Sequence, residues 1–186
     1  MDPSGIGLIL IQMVDRLVIS FSRIPSMTHP PEPRIFMRQA IELSRIHMEA
    51  GEGGPFGAVV VQKGRVMGEG WNRVTSTCDP TAHAEVVAIR EACARLGTFS
   101  LKGCEIYSSC EPCPMCLAAI YWARLDRLWY ANLRTDAAAI QFDDEWLYRE
   151  VALPVAERSL PGGELLRDEA LKVFQAWEAK VDKIPY

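Results

Sequence analysis

His83-Ala84-Glu85 and Pro112-Cys113-Pro114-Met115-Cys116 constrain this chain more than any other feature, because three metal-type side chains must meet across a long stretch of sequence. His83 and Glu85 lie two residues apart, so they would point about 200° away from each other along a helix. Both can face one point only where a helix begins. Asp79-Pro80-Thr81 supplies such a start, with Thr81 the expected N-cap and an Ala/Val/Ile-rich run following to Leu96. Cys113 and Cys116 are three apart and share one helix face just behind Pro112, where a second helix is expected to open. Two helix N-termini should therefore converge on one metal ion, and their dipoles favour thiolate, the form of cysteine that binds zinc.

One histidine and two cysteines leave tetrahedral Zn²⁺ one ligand short, which is what separates a catalytic zinc site from a structural one. Zinc lowers the pKa of a water in that position from about 16 toward about 7, and a non-ligand carboxylate can then move the protons. Glu85 is placed for that role. H-x-E followed by P-C-x-x-C is the pattern of zinc-dependent deaminases. Other readings fit less well. A capping-box role for Glu85 would need it at position 84, which is alanine. C-x-x-C alone also serves redox pairs and structural zinc fingers, but no strand runs directly into Cys113 and no second C-x-x-C or H-x₃₋₅-H completes a finger.

The 186 residues, 49% hydrophobic and 24% charged, suit one α/β domain with an added segment. A formal net charge of −4 gives no basic footprint for a phosphate backbone, so nucleic acid is not the expected partner. Cys78, Cys93, Cys104 and Cys110 show no disulfide spacing, which suits a reducing cytoplasm. Residues 1–33 stand apart. The apolar stretch from Ile6 to Phe21 is interrupted by Asp15 and Arg16 and followed by a proline-rich run, too short and too charged for a membrane span and unlike a signal peptide. They are expected to be a poorly ordered or non-native extension, with the working domain over residues 34–186.

Along that domain, the spacing of Ile35, Met37, Ala40, Ile41, Leu43, Ser44 and Met48 predicts a helix ending near Gly51. Phe56 to Val61 reads as a buried strand, turned at Lys63-Gly64 into a second that ends near Asn72. Cys104–Ser109 and Arg127–Ala131 are the third and fourth strands, Asp136–Ile140 a short helix, Val155–Leu160 a fifth strand and Glu164–Val181 the last helix. Strands joined through helices imply parallel pairing with right-handed crossovers. The expected fold is a three-layer α/β/α arrangement around a mixed five-stranded sheet, with the metal at the strands' C-terminal ends.

With these segments placed, the chain from Gly53 to Tyr186 resembles the cytidine-deaminase-like superfamily, and within it the bacterial guanine deaminases. GGPFGAVVV, DPTAHAEVVAIREAC, SCEPCPMCLAAIYWAR, TDAAAIQFDDEW, FQAW and the terminal tyrosine carry the likeness in order. The resemblance implies His83, Cys113 and Cys116 as zinc ligands, Glu85 as proton shuttle, hydrolysis of guanine to xanthine and ammonia, and a homodimer that exchanges C-terminal segments. Guanine presents N1–H and a 2-amino group as donors, so its pocket wants a carboxylate acceptor. Asp144 is the candidate, although three acids in a row are more often a solvated helix start. Asn72 either bonds turn backbone or reads the ring's polar edge; Phe56 and Trp122 are pocket walls or core. Ala84 and Tyr186 complete the expected substrate contacts. A guanosine deaminase, a tRNA adenosine or cytosine deaminase, and a non-catalytic zinc scaffold are the alternatives, the last disfavoured by the intact Glu85.

Overall fold

The computed structural model describes residues 33–185, so the expected N-terminal extension, apart from Pro33, and the terminal Tyr186 lie outside the described residues. Helix α1 (Pro33–Glu49) opens on a proline, whose missing N–H costs nothing in a helix's first turn. Strands β1 (Gly57–Gln62) and β2 (Arg65–Trp71) form an antiparallel hairpin. Lys63 and Gly64 both have positive φ, as the tight hairpin turn that matches strand twist requires. After the short α2 (Val74–Thr77) come α3 (Ala84–Leu96), β3 (Cys104–Cys110), α4 (Pro114–Trp122) and β4 (Arg127–Asn132). The sheet runs β2-β1-β3-β4, with β3 antiparallel to β1 and parallel to β4.

Two apolar clusters cover its two faces. On one, Phe36 and Ala40 of α1 pack against Val59, Val61 and Tyr107. On the other, Ala84, Ala88 and Ala92 of α3 and Ile120 of α4 pack against Ala58, Val60 and Ile106. Both helices approach the sheet through glycine. A Cβ on Gly57 would fall 2.2 Å from the carbonyl oxygen of Ala40, and one on Gly70 2.1 Å from that of Ala84. Without side chains there, the helix backbones lie directly on the strands, and the first turn of α3 is fixed against β2.

The sheet has four strands among the described residues, not the expected five. Val155–Glu157 is a single 3-10 turn. Local bonds outcompete a strand there: Ser159 donates from its backbone N–H and its hydroxyl to Glu150, at 2.8 and 2.9 Å, and Arg158 donates to the carbonyl of Leu153. The segment folds back on α6 (Glu145–Ala152), which follows α5 (Arg134–Ala139) and precedes α7 (Arg167–Ala179). In α1 the helix is as expected but its phase differs: Ile35, Ile41 and Met48 are exposed while Phe36 and Ala40 are buried. Among the described residues, no helix is long and apolar enough to cross a membrane.

Candidate metal centre and active site

Helix α3 begins later than Thr81. Asp79 accepts hydrogen bonds from the Thr81 N–H and hydroxyl, at 2.8 and 2.7 Å, and this side-chain turn holds Thr81 in a loop two residues ahead of the helix's N-cap. His83 takes the N-cap position in extended conformation, and Glu85 falls in the first turn. At α4 the N-cap is Cys113, Pro114 is the first helical residue, and Cys116 lies one turn in. The two helix starts meet. His83 Nδ1 is 3.6 Å from Cys113 Sγ and 3.5 Å from Cys116 Sγ, and the three ligand atoms all lie within 4.8 Å of one another.

Zinc bonded to sulfur and nitrogen at tetrahedral angles holds those atoms about 3.5 Å apart, so this spacing fits the ion. The thiols are already unequal. Cys113 is held down to about 4, chiefly by its hydrogen bond with Cys116 and also by that with His83, against the opposing effect of burial. Cys116 goes up, because it is the donor of that pair and is buried. His83 is raised, mainly by its hydrogen bond to Cys113. Cys116 is fully buried whereas His83 and Cys113 are half-buried, so the site opens on their side.

Glu85 is 6% exposed, and burial pushes its carboxyl up. Ser108 of β3 donates a hydrogen bond of 3.0 Å to its Oε1. Asn72 is buried at the end of β2, where its side-chain oxygen accepts the N–H groups of Gly54 and Val74 at 3.2 and 3.3 Å. That oxygen is committed to loop backbone, leaving the amide group as the part that can face a ligand. Phe56 meets Phe142 edge to face, with ring centroids 5.0 Å apart. Asp144 stands at the N-cap of α6, its carboxyl raised by burial and by the charge of Cys113, so it shares the metal centre's electrostatic environment. Ala84 is the buried first residue of α3. Trp122 is not brought to this site: it ends α4, at the far end from Cys113, is 63% exposed and carries the Arg124 guanidinium over its ring.

Ser108 and Tyr148 were not expected at the site. The Tyr148 hydroxyl donates 2.8 Å to the carbonyl of Pro112, tying α6 to the loop that carries Cys113, and Arg134 lies over its ring. Strand β3 reads Cys-Glu-Ile-Tyr-Ser-Ser-Cys, so nothing in the sequence told Ser108 from Ser109, and Tyr148 left no signal either.

Three metal-type side chains that converge beside a buried carboxylate are the arrangement of a zinc-dependent aminohydrolase. Residues 31–132 match the cytidine and deoxycytidylate deaminase zinc-binding region, and the chain belongs to that family. It is 50% identical over 151 residues to guanine deaminase of Bacillus subtilis, covering 81% of this chain and 97% of that protein. A crystal structure of guanine deaminase from Bacillus subtilis superposes with a TM-score of 0.81 at 48% identity, over 83% of this chain and 99% of that one. Similarity to tRNA-specific adenosine deaminase of Aquifex aeolicus is 41% over 98 residues, covering 53% of this chain and 64% of that protein.

Proposed function

We propose that this protein hydrolyses guanine to xanthine and ammonia. The observation that carries the reading is the convergence of His83, Cys113 and Cys116 beside buried Glu85, in a chain half identical to a guanine deaminase along nearly all of that enzyme's length. His83, Cys113 and Cys116 would hold zinc, which when bound would supply an activated water for attack on the ring. Glu85 would move two protons in turn, the first from the attacking water to the ring nitrogen and the second from the hydroxyl so formed on the ring to the departing amino group, ending as the carboxylate it began as. Asp144 offers two acceptor oxygens to the N1–H and 2-amino donors. The amide group of Asn72 faces the ring's polar edge, Phe56 walls the pocket, and Ala84 lies beneath it.

The oligomer belongs to the same proposal. Every residue of helix α7 is exposed, Val173, Phe174 and Trp177 among them, with Phe174 73% exposed, and Tyr121 and Trp122 of α4 are exposed too. Apolar surface of this kind is what a homodimer with exchanged C-terminal segments would bury. In it the tail ending at Tyr186 covers the partner's site. Release of ammonia from guanine, guanosine, adenine, cytosine and cytidine tests the reading. Guanine alone should react; turnover of guanosine would show a pocket that admits ribose, and failure on guanine with zinc bound would overturn the assignment.

A further inference from the structure

Strand β3 is one of the two inner strands of the sheet, flanked by β1 and β4 and covered by helices on both faces. On the side facing α3 and α4 it presents Cys104 and Ile106, both in the apolar core with Ala58, Val60 and Ala84, and then Ser108. In a strand buried on both faces the default residue is a β-branched apolar one. Ser108 is 2% exposed, and a hydroxyl buried that deeply is unfavourable unless it is bonded. Its bond goes to Glu85 Oε1, at 3.0 Å. Strand register fixes the donor from both sides, because Ser108 pairs with Ala58 on β1 and Tyr130 on β4. Ala58 has no bulk to displace it.

A carboxylate has two oxygens and a free rotation that exchanges them. Proton transfer needs one of them held toward the reacting atoms and the other kept out of the way. We propose that Ser108 is a positioning residue for proton transfer, occupying Oε1 of Glu85 and leaving Oε2 as the oxygen that receives and returns the proton. The Ser108 proton stays on its own oxygen throughout. The inference rests on the proton-shuttle role of Glu85 and adds a residue that acts only through it.

Three substitutions separate the hydrogen bond from packing: Ser108→Thr keeps the hydroxyl, Ser108→Val has threonine's shape without the donor, and Ser108→Ala removes the donor without adding bulk. In otherwise native enzyme, Val and Ala should lower kcat on guanine about tenfold, the weight of one hydrogen bond to a charged group, with KM and zinc content unchanged. Thr should restore the rate. In a Glu85→Ala background, where no carboxylate remains to be positioned, Thr and Val should show the same residual kcat. Equal rates for Thr and Val in the native background would overturn the proposal. So would an undiminished Val penalty in the Glu85→Ala background, or loss of zinc in Val and Ala alike, since either makes Ser108 a structural residue. Full activity of Glu85→Ala alone would overturn the shuttle reading itself, which distinguishes that failure from this one.

Discussion

Glu85 is buried and lies outside the cluster formed by His83, Cys113 and Cys116, so the proposed shuttle role can be tested separately from metal binding. Glu85→Gln is expected to retain zinc while kcat falls by about 10²–10⁴, the usual weight of a general acid/base. Metal analysis and turnover on one preparation check this; if zinc left with the activity, the carboxylate would have to be counted as a ligand. Asp144 is half-buried at the start of α6, where burial and, next, the charge of Cys113 raise its carboxyl. Asp144→Asn replaces one acceptor with a donor facing the donors of guanine, so kcat/KM should fall about tenfold to a hundredfold with zinc unchanged. An unaltered kcat/KM would return Asp144 to the role of an ordinary helix start.

Secondary structure carries these residues with little slack. Gly70 has no side chain because the Ala84 carbonyl occupies the space a Cβ would need, and Ala84 stands between ligand and carboxylate. Gly70→Ala should therefore cost at least about 1–3 kcal/mol in overpacking and also displace the first turn of α3. Thermal melting and turnover per bound zinc should both fall; a lower melting temperature with intact turnover would show that α3 moves as a unit without disturbing its first turn. Much of this was legible in the chain. The valine run and Lys63-Gly64 announced the hairpin, and the ligand spacing announced two helix starts. Periodicity placed α1, but it could not say that Phe36 rather than Ile35 faces the sheet, since that choice is made by Gly57, far along the chain. Thr81 looked like a cap until Asp79 took its donors, and Val155–Leu160 looked like a strand until Glu150 offered a nearer partner. In these last two cases a side chain competed successfully with regular backbone structure.

For the molecule as a whole, the exposed apolar face of α7 makes the C-terminal segment the part to perturb. On the proposed exchange of C-terminal segments, deleting Ile184 to Tyr186 should lower activity strongly with little change in zinc content or melting temperature. Mixed dimers of a Glu85→Gln chain and a tail-deleted chain should regain activity, since the deleted chain keeps a competent site and its partner supplies the tail. A silent deletion, or inactive mixed dimers of exchanged chains, would remove the trans-covering role. The metal centre also bears on the order of assembly. His83 opens one strand-helix unit and Cys113 and Cys116 open the next, with β3 inserted between them and paired to the earlier hairpin. A ribosome must deliver both units, and β3 must zip onto β1, before three ligands exist in one place. Zinc, when bound, would act as a clasp between segments 30 and 33 residues apart in sequence, so its affinity would depend on the pairing of β3 with β1 as well as on the two helix starts.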